Sequence, residues 1–347
     1  MCASRWMADR GGRLLSFVDY MFFSSSGVRG LMNDGLSCCV NTLLQCFSAT
    51  WELTELLNRW KPVDIQEANH NVPLQLQKAL RAMQSDQIQP APHHDFLHCL
   101  DRNRIRLNTQ HDAEEVFLRI LNRIQQQMDN EVLAGDIQNL FKISVETHLQ
   151  CSECSSVQSM ASYLLNLPLH IREGHNSLDG CITSFFEPQE LRGRNSCLCA
   201  WCGKRTPSKQ GCKLVSLPPV LCVQLHRFRS DCGYTRKLDC TVTFPETFDF
   251  LENLKEEAFS RDFVKGDCKY VLYAVVVHSG SAVFGHYTAY VRPKGSHGWY
   301  YANDSHVQEA TWEKVQSTYG GRYRDTAYML MYRRSAKEEE EQPHCSG

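Results

Sequence analysis

Near Phe141 the hydrophobic pattern of this chain changes period, and that change restricts what it can fold into. Before it, apolar residues recur at three- and four-residue steps. Ala113, Val116, Phe117, Ile120, Leu121, Ile124 and Met128 fall on one helical face. Thr109 and Asp112 resemble a capping box at its start, and Pro73–Met83 reads as an earlier helix. From Phe141 the step is two. Phe141, Ile143, Val145, Thr147 and Leu149 alternate with Lys142, Ser144, Glu146, His148 and Gln150, as in a half-solvated strand. Leu165, Leu167, Leu169 and Ile171 alternate likewise. Val220–Leu225 and Tyr270–Val277 are apolar on both faces, which suits central strands, and Tyr287–Arg292, Trp299–Ala302 and Thr326–Tyr332 complete a sheet-rich second half. Helices followed by strands predict an α+β fold.

The 347 residues, 42% of them hydrophobic, can bury a sizeable core. A net charge of -2 offers no basic field for nucleic acid. No apolar run approaches the ~20 residues of a membrane-spanning helix, so membrane insertion is not expected. The N-terminal stretch shows no small-residue cleavage site, and no secretory signal is read. With no such signal, the 17 cysteines point to a reducing compartment with mostly free thiols, cytoplasmic with or without a nuclear share. Residues 1–29 read as a mobile lead-in, and 335–347, with Glu338-Glu339-Glu340-Glu341, as a disordered acidic tail.

One cysteine stands out. The turn Gly30-Leu31-Met32-Asn33-Asp34-Gly35-Leu36-Ser37 delivers Cys38 to the start of an apolar helical stretch. Unpaired N–H groups at a helix start favour a thiolate, the nucleophilic form of the side chain. Far downstream, His286 follows a Gly- and Ser-containing loop and opens a strand, where an imidazole is fixed yet reachable. Asn303 ends another strand and is placed to accept a hydrogen bond from His286 Nδ1–H; His278, at the end of a buried strand, reads as structural. Taken singly these residues are ordinary: a histidine among 14, and an Asn-Asp-Ser turn.

Cys151-Ser152-Glu153-Cys154 and Cys199-Ala200-Trp201-Cys202 form two C-x-x-C pairs, the second starting 45 residues after the first ends. Each short turn can aim two thiolates at one point, the arrangement of a structural tetrahedral zinc, about one per chain. Cys197 competes with Cys199 as a ligand.

In this order the motifs resemble the ubiquitin-specific proteases, papain-like cysteine isopeptidases, from Gly30 to about Arg333. Gly30–Gln45 resembles the family's cysteine box, and Gln110-His111-Asp112-Ala113-Glu114-Glu115-Val116-Phe117 its Gln-Asp-Ala helix. The cysteine pairs resemble its zinc-bearing fingers, and Leu217–Leu221 with Leu225–Phe228 its central strand signature. Gly285-His286-Tyr287 and Trp299–Asp304 resemble its histidine box. Asp34, Leu36, Ser37 and Cys39 depart from the usual residues, but no catalytic group is missing.

The resemblance implies a hand in one catalytic domain, 30–334: a helical thumb at about 30–140, fingers at about 141–215 and a β-rich palm at about 216–334. It implies that Cys38 attacks an isopeptide carbonyl at a modifier's C-terminal glycine, with His286 as base and then acid. Asn33 and the Cys38 N–H would hold the oxyanion, Asn303 would orient His286, and Asp304 would add charge. Cys39 would point inward. Ser279–Gly285 and Ser230–Thr243 are candidate walls for the modifier's tail. The Cys38-Cys39 doublet, Asn303-Asp304 and Thr318-Tyr319-Gly320 resemble an interferon-induced branch of the family. That branch removes a ubiquitin-like modifier of two fused folds and damps type I interferon receptor signalling by binding. A general deubiquitinase and a receptor-binding scaffold are the competing readings.

Overall fold

The computed structural model describes residues 28–335, apart from 64–66, 86–89, 107–111, 232, 253, 265, 267 and 322–324. The expected lead-in and acidic tail therefore lie outside the described residues, except Val28, Arg29 and Ser335, as do Thr109, Gln110 and His111.

Among the described residues six α-helices occupy the first part: α1 Cys38–Ala49, α2 Trp51–Arg59, α3 Val72–Met83, α4 His94–Arg102, α5 Ala113–Gln127 and α6 Glu131–Phe141. In α5 every apolar residue of the predicted stripe is buried. Its N-cap is Asp112, whose carboxylate accepts from Glu114 N at 2.9 Å. The same carboxylate accepts from the Tyr328 hydroxyl, so the cap also ties α5 to the strand Thr326–Arg334.

The period change falls slightly later than expected. Phe141 closes α6 and the strand begins at Ile143. Asn130 caps α6 by accepting from Leu133 N at 3.0 Å, and Leu133, Ala134, Ile137, Leu140 and Phe141 form its buried face. Phe141 meets Phe117 edge-on at 5.4 Å, which holds it in the helical core rather than on a sheet.

The large sheet runs in the order His306–Ala310, Trp299–Asn303, Gly285–Val291, Lys269–Gly280, Thr326–Arg334, Val220–His226 and Leu167–His170, with Thr247–Asp249 paired beside Lys269–Gly280. All pairings are antiparallel except that of Leu167–His170 with Val220–His226. Lys269–Gly280 is apolar on both faces because each face has a core. Ala274 and Val276 join the helical core with α1, and Val275 and Val277 join a second core with Phe244, Phe250 and Leu330.

A four-stranded sheet, in the order Val157–Leu164, Ile143–Cys151, Ser208–Ser216 and Gln189–Leu191, shares no strand pairing with the large one, though Ile143, Val145 and Leu214 pack into the second core. Cys151 ends one of its strands, and the short ladder Cys197–Cys199 with Lys204–Thr206 adjoins it. Among the described residues no helix is long and apolar enough to cross a membrane.

Candidate active site and metal centre

Cys38 is the first residue of α1 and is 8% exposed. The preceding turn closes on itself. Ser37 Oγ accepts from Asp34 N at 3.0 Å and donates to Asn33 Oδ1 at 3.2 Å, and Ser37 N donates to the same oxygen at 3.3 Å. Gly35 sits at φ 78°, a left-handed conformation that a side chain would strain. One residue on, the helix has turned about 100°. Cys39 is accordingly buried in the core, and that burial pushes its thiol well above the usual range.

His286 lies on Gly285–Val291, which pairs with Trp299–Asn303. Its Nε2 lies 2.7 Å from Asn303 Oδ1. This corrects the expected contact through Nδ1. With Nε2 engaged by Asn303, Nδ1 is the nitrogen left for Cys38. The hydrogen bond with Cys38 is the main cause that raises the imidazole's pKa from 6.5 to about 9, against burial; Asn303 and the charges of Cys38 and Asp304 add to it. His278 behaves differently: burial first, then the Lys237 charge, pushes it down to about 3. A Cβ on Gly285 would lie 2.0 Å from His278 Nε2, so His278 fills the space that the glycine before His286 leaves.

Asp304 occupies the turn after Asn303 at φ 49°, a region Asp tolerates better than most residues. Its Oδ2 accepts from Asn33 Nδ2 at 2.9 Å and its Oδ1 from Asn41 Nδ2 at 2.8 Å. It also stands 3.9 Å from His286 Nε2, beyond hydrogen-bond reach but close enough for its charge to act. Asn41 donates to Met32 O at 3.1 Å, and its Oδ1 lies 2.8 Å from Nε2 of the buried His93. Leu31 N donates to Asp304 O at 2.9 Å, and Ala91 N donates to Gly30 O at 2.9 Å. A Cβ on Gly30 would lie 2.3 Å from Ser305 O, so only glycine allows the nucleophile turn this close to the Asn-Asp-Ser turn.

The fold thus gathers Cys38, His286, Asn303, Asn33 and Asp304. Sequence reasoning missed Asn41 and His93. Asn41 follows Cys38 by three residues, nearly one helical turn, and that spacing was a usable signal. His93 carries none, since only the fold brings it to Asn41.

The four predicted metal-ligating cysteines also converge. The Sγ atoms of Cys151, Cys154, Cys199 and Cys202 all lie within 4.8 Å of one another. Cys151 and Cys202 are 3.9 Å apart, and Cys154 and Cys199 3.6 Å. Tetrahedral zinc with Zn–S of about 2.3 Å sets sulfurs about 3.8 Å apart, so the spacing suits such an ion. Cys197 Sγ instead faces Asn195 O at 3.8 Å, outside the cluster, which decides between Cys197 and Cys199.

Residues 29–332 match the family described as Ubiquitin carboxyl-terminal hydrolase. The chain is similar to Ubl carboxyl-terminal hydrolase 18 of Mus musculus, 36% identical over 318 residues that cover 89% of this chain and 86% of the relative. The Homo sapiens protein of the same name is 34% identical over 316 residues, 88% of this chain and 85% of the relative. Ubiquitin carboxyl-terminal hydrolase 47 of Drosophila melanogaster is 26% identical over 385 aligned residues, 88% of this chain but 25% of that protein. With nearly all of its described length matched, the chain belongs to the ubiquitin carboxyl-terminal hydrolase family.

Proposed function

We propose that this cysteine-type hydrolase cleaves the isopeptide bond between the C-terminal glycine of a ubiquitin-like modifier and a substrate lysine. The observation that carries the reading is His286, held between Cys38 and Asn303. Cys38 attacks the carbonyl while His286 holds the thiol proton, then passes it to the departing lysine amine; water hydrolyses the thioester and regenerates the thiol. Asn33 Nδ2 gives one hydrogen to Asp304 and keeps a second for the oxyanion, alongside the Cys38 N–H. Asn303, a neutral amide, orients His286, and the Asp304 carboxylate both aims Asn33 and stabilises the imidazolium.

In this reading the helices up to 140 act as a thumb, 141–215 as fingers and 216–334 as a palm. Zinc on Cys151, Cys154, Cys199 and Cys202 would be structural, since four thiolates leave no open position for substrate. The tail's walls would be the Ser281–Phe284 loop, with Val283 and Phe284 60% and 76% exposed, and the hairpin bearing exposed Tyr234.

The printed names of the relatives at 34 to 36% identity favour a ubiquitin-like modifier over ubiquitin. The resemblance to the interferon-induced branch favours the interferon-stimulated modifier, a cytoplasmic or nuclear setting and a second role in damping type I interferon signalling through the receptor. Two C-terminally electrophilic probes, one on each modifier, test the specificity. Labelling of Cys38 by the interferon-stimulated probe is expected. Labelling by the ubiquitin probe alone would indicate a general deubiquitinase, and labelling by neither would favour a binding role.

A further inference from the structure

A second constellation adjoins the nucleophile turn and plays no part in the chemistry above. His94 opens α4 and His98 stands one turn later, both exposed, while Phe96, Leu97, Cys99 and Leu100 anchor the helix in the core. The two Nε2 atoms lie only 2.7 Å apart, with the rings edge-on at 4.1 Å. Two imidazole lone pairs cannot face each other at that distance, so a single proton is shared between them. On the far side of His94, Nδ1 stands 3.4 Å from Asp34 Oδ2.

This is the donor arrangement of a transition-metal chelate. Histidines four apart on a helix present their rings to one point, as in H-x3-H metal sites. A carboxylate on Nδ1–H fixes the tautomer that leaves the Nε2 lone pair outward. We propose that His94 and His98 bind one divalent ion of the imidazole-preferring class, Cu2+, Ni2+ or Zn2+, through their Nε2 atoms, with Asp34 as the orienting carboxylate. The ion replaces the shared proton, which moves to His98 Nδ1 or to water. Metal–nitrogen distances of about 2.0–2.1 Å set the two nitrogens about 2.9 Å apart at a right angle, as in Cu2+ and Ni2+ sites, and about 3.3 Å apart in tetrahedral zinc, a small rotation for exposed side chains. Water completes the coordination. His93 is not a third ligand, since its Nε2 is engaged with Asn41. The site does not depend on the proposed isopeptidase chemistry; it adjoins it because Asp34 follows Asn33 in the nucleophile turn.

Calorimetric titration of the zinc-loaded full chain with Ni2+ tests this, with Cys38→Ala in place to remove the catalytic thiol. One saturable site per chain is expected. His94→Gln or His98→Gln should abolish it, Asp34→Asn should weaken it about tenfold, and His70→Gln on another exposed histidine should leave it unchanged. Circular dichroism and zinc content, unchanged in all variants, would show that the fold is intact. No saturable binding, or binding that survives both His94→Gln and His98→Gln, would overturn the proposal.

Discussion

The cysteine cluster and the Cys38 centre are each assembled from distant parts of the chain, yet they are held in opposite ways. Cys151 and Cys199 end strands and Cys154 and Cys202 lie in the turns that follow them, with Cys154 exposed and Leu198 and Trp201 67% and 83% exposed. Little apolar packing surrounds the four thiols, so a bound ion would supply most of the local stability. Cys38 and its partners sit between a buried helix and the central sheet, and amides, a carboxylate and close backbone contacts hold them. Local spacing can therefore prepare each half of a metal site, with the fold left to bring the halves together, whereas a hydrogen-bonded site needs a preformed scaffold throughout.

The sharpest test of that contrast, with the largest effect, is metal removal. Cys199→Ala is expected to lose the zinc, lower the melting temperature and abolish activity, while Cys197→Ala keeps all three near wild type. Metal analysis beside thermal unfolding reads both, and a zinc-free chain as stable as the wild type would break the comparison. Next in size is the oxyanion donor. Asn33→Ala should lower kcat by about 10²–10³ with KM little changed and the fold intact. Asn303→Ala should cost less than Cys38→Ala, and equal total loss would mean that Asn303 does more than orient His286. Steady-state kinetics on a fluorogenic modifier conjugate measures these.

The smallest effect concerns pH. The His286 pKa is raised from 6.5 to about 9, so the folded state holds this proton more tightly than the unfolded chain. Its contribution to stability is complete below about 6.5 and is lost as pH rises through about 9. With the side chain 40% exposed, solvent screening keeps that contribution small. The alkaline limb of kcat/KM should fall near pH 9, where His286 loses the proton that the leaving amine needs. Asp304→Asn removes a charge that raises this pKa, so the limb should move to lower pH. A limb that stays in place would show that the carboxylate acts on Asn33 and Asn41 alone.

Much of the fold was legible because burial imposes period. The α5 stripe, the two-faced strands and the alternating start of the four-stranded sheet follow from which residues must avoid water. The misplaced boundary at Phe141 shows the limit of that logic. A large aromatic at the junction fits either period, and its contact with Phe117 decides for the helix. In the site, residue types and motif order singled out groups that the fold then gathers. The ring nitrogen that meets Asn303 was read wrongly, because a sequence carries no information on how an imidazole is rotated about its own bonds.

The helices-then-strands order, the cysteine at a helix start and the C-x-x-C pairs could be read from the chain directly, because each depends on residues close in sequence. Tertiary structure alone decided that Cys199 rather than Cys197 joins the cluster. It also brought Asn41 and His93 into line with Asp304, and Gly30 against Ser305. Those choices depend on distances between segments far apart in sequence, which only the packed fold sets: α1 against the large sheet for the Cys38 centre, and the strand ladders for the cysteine cluster.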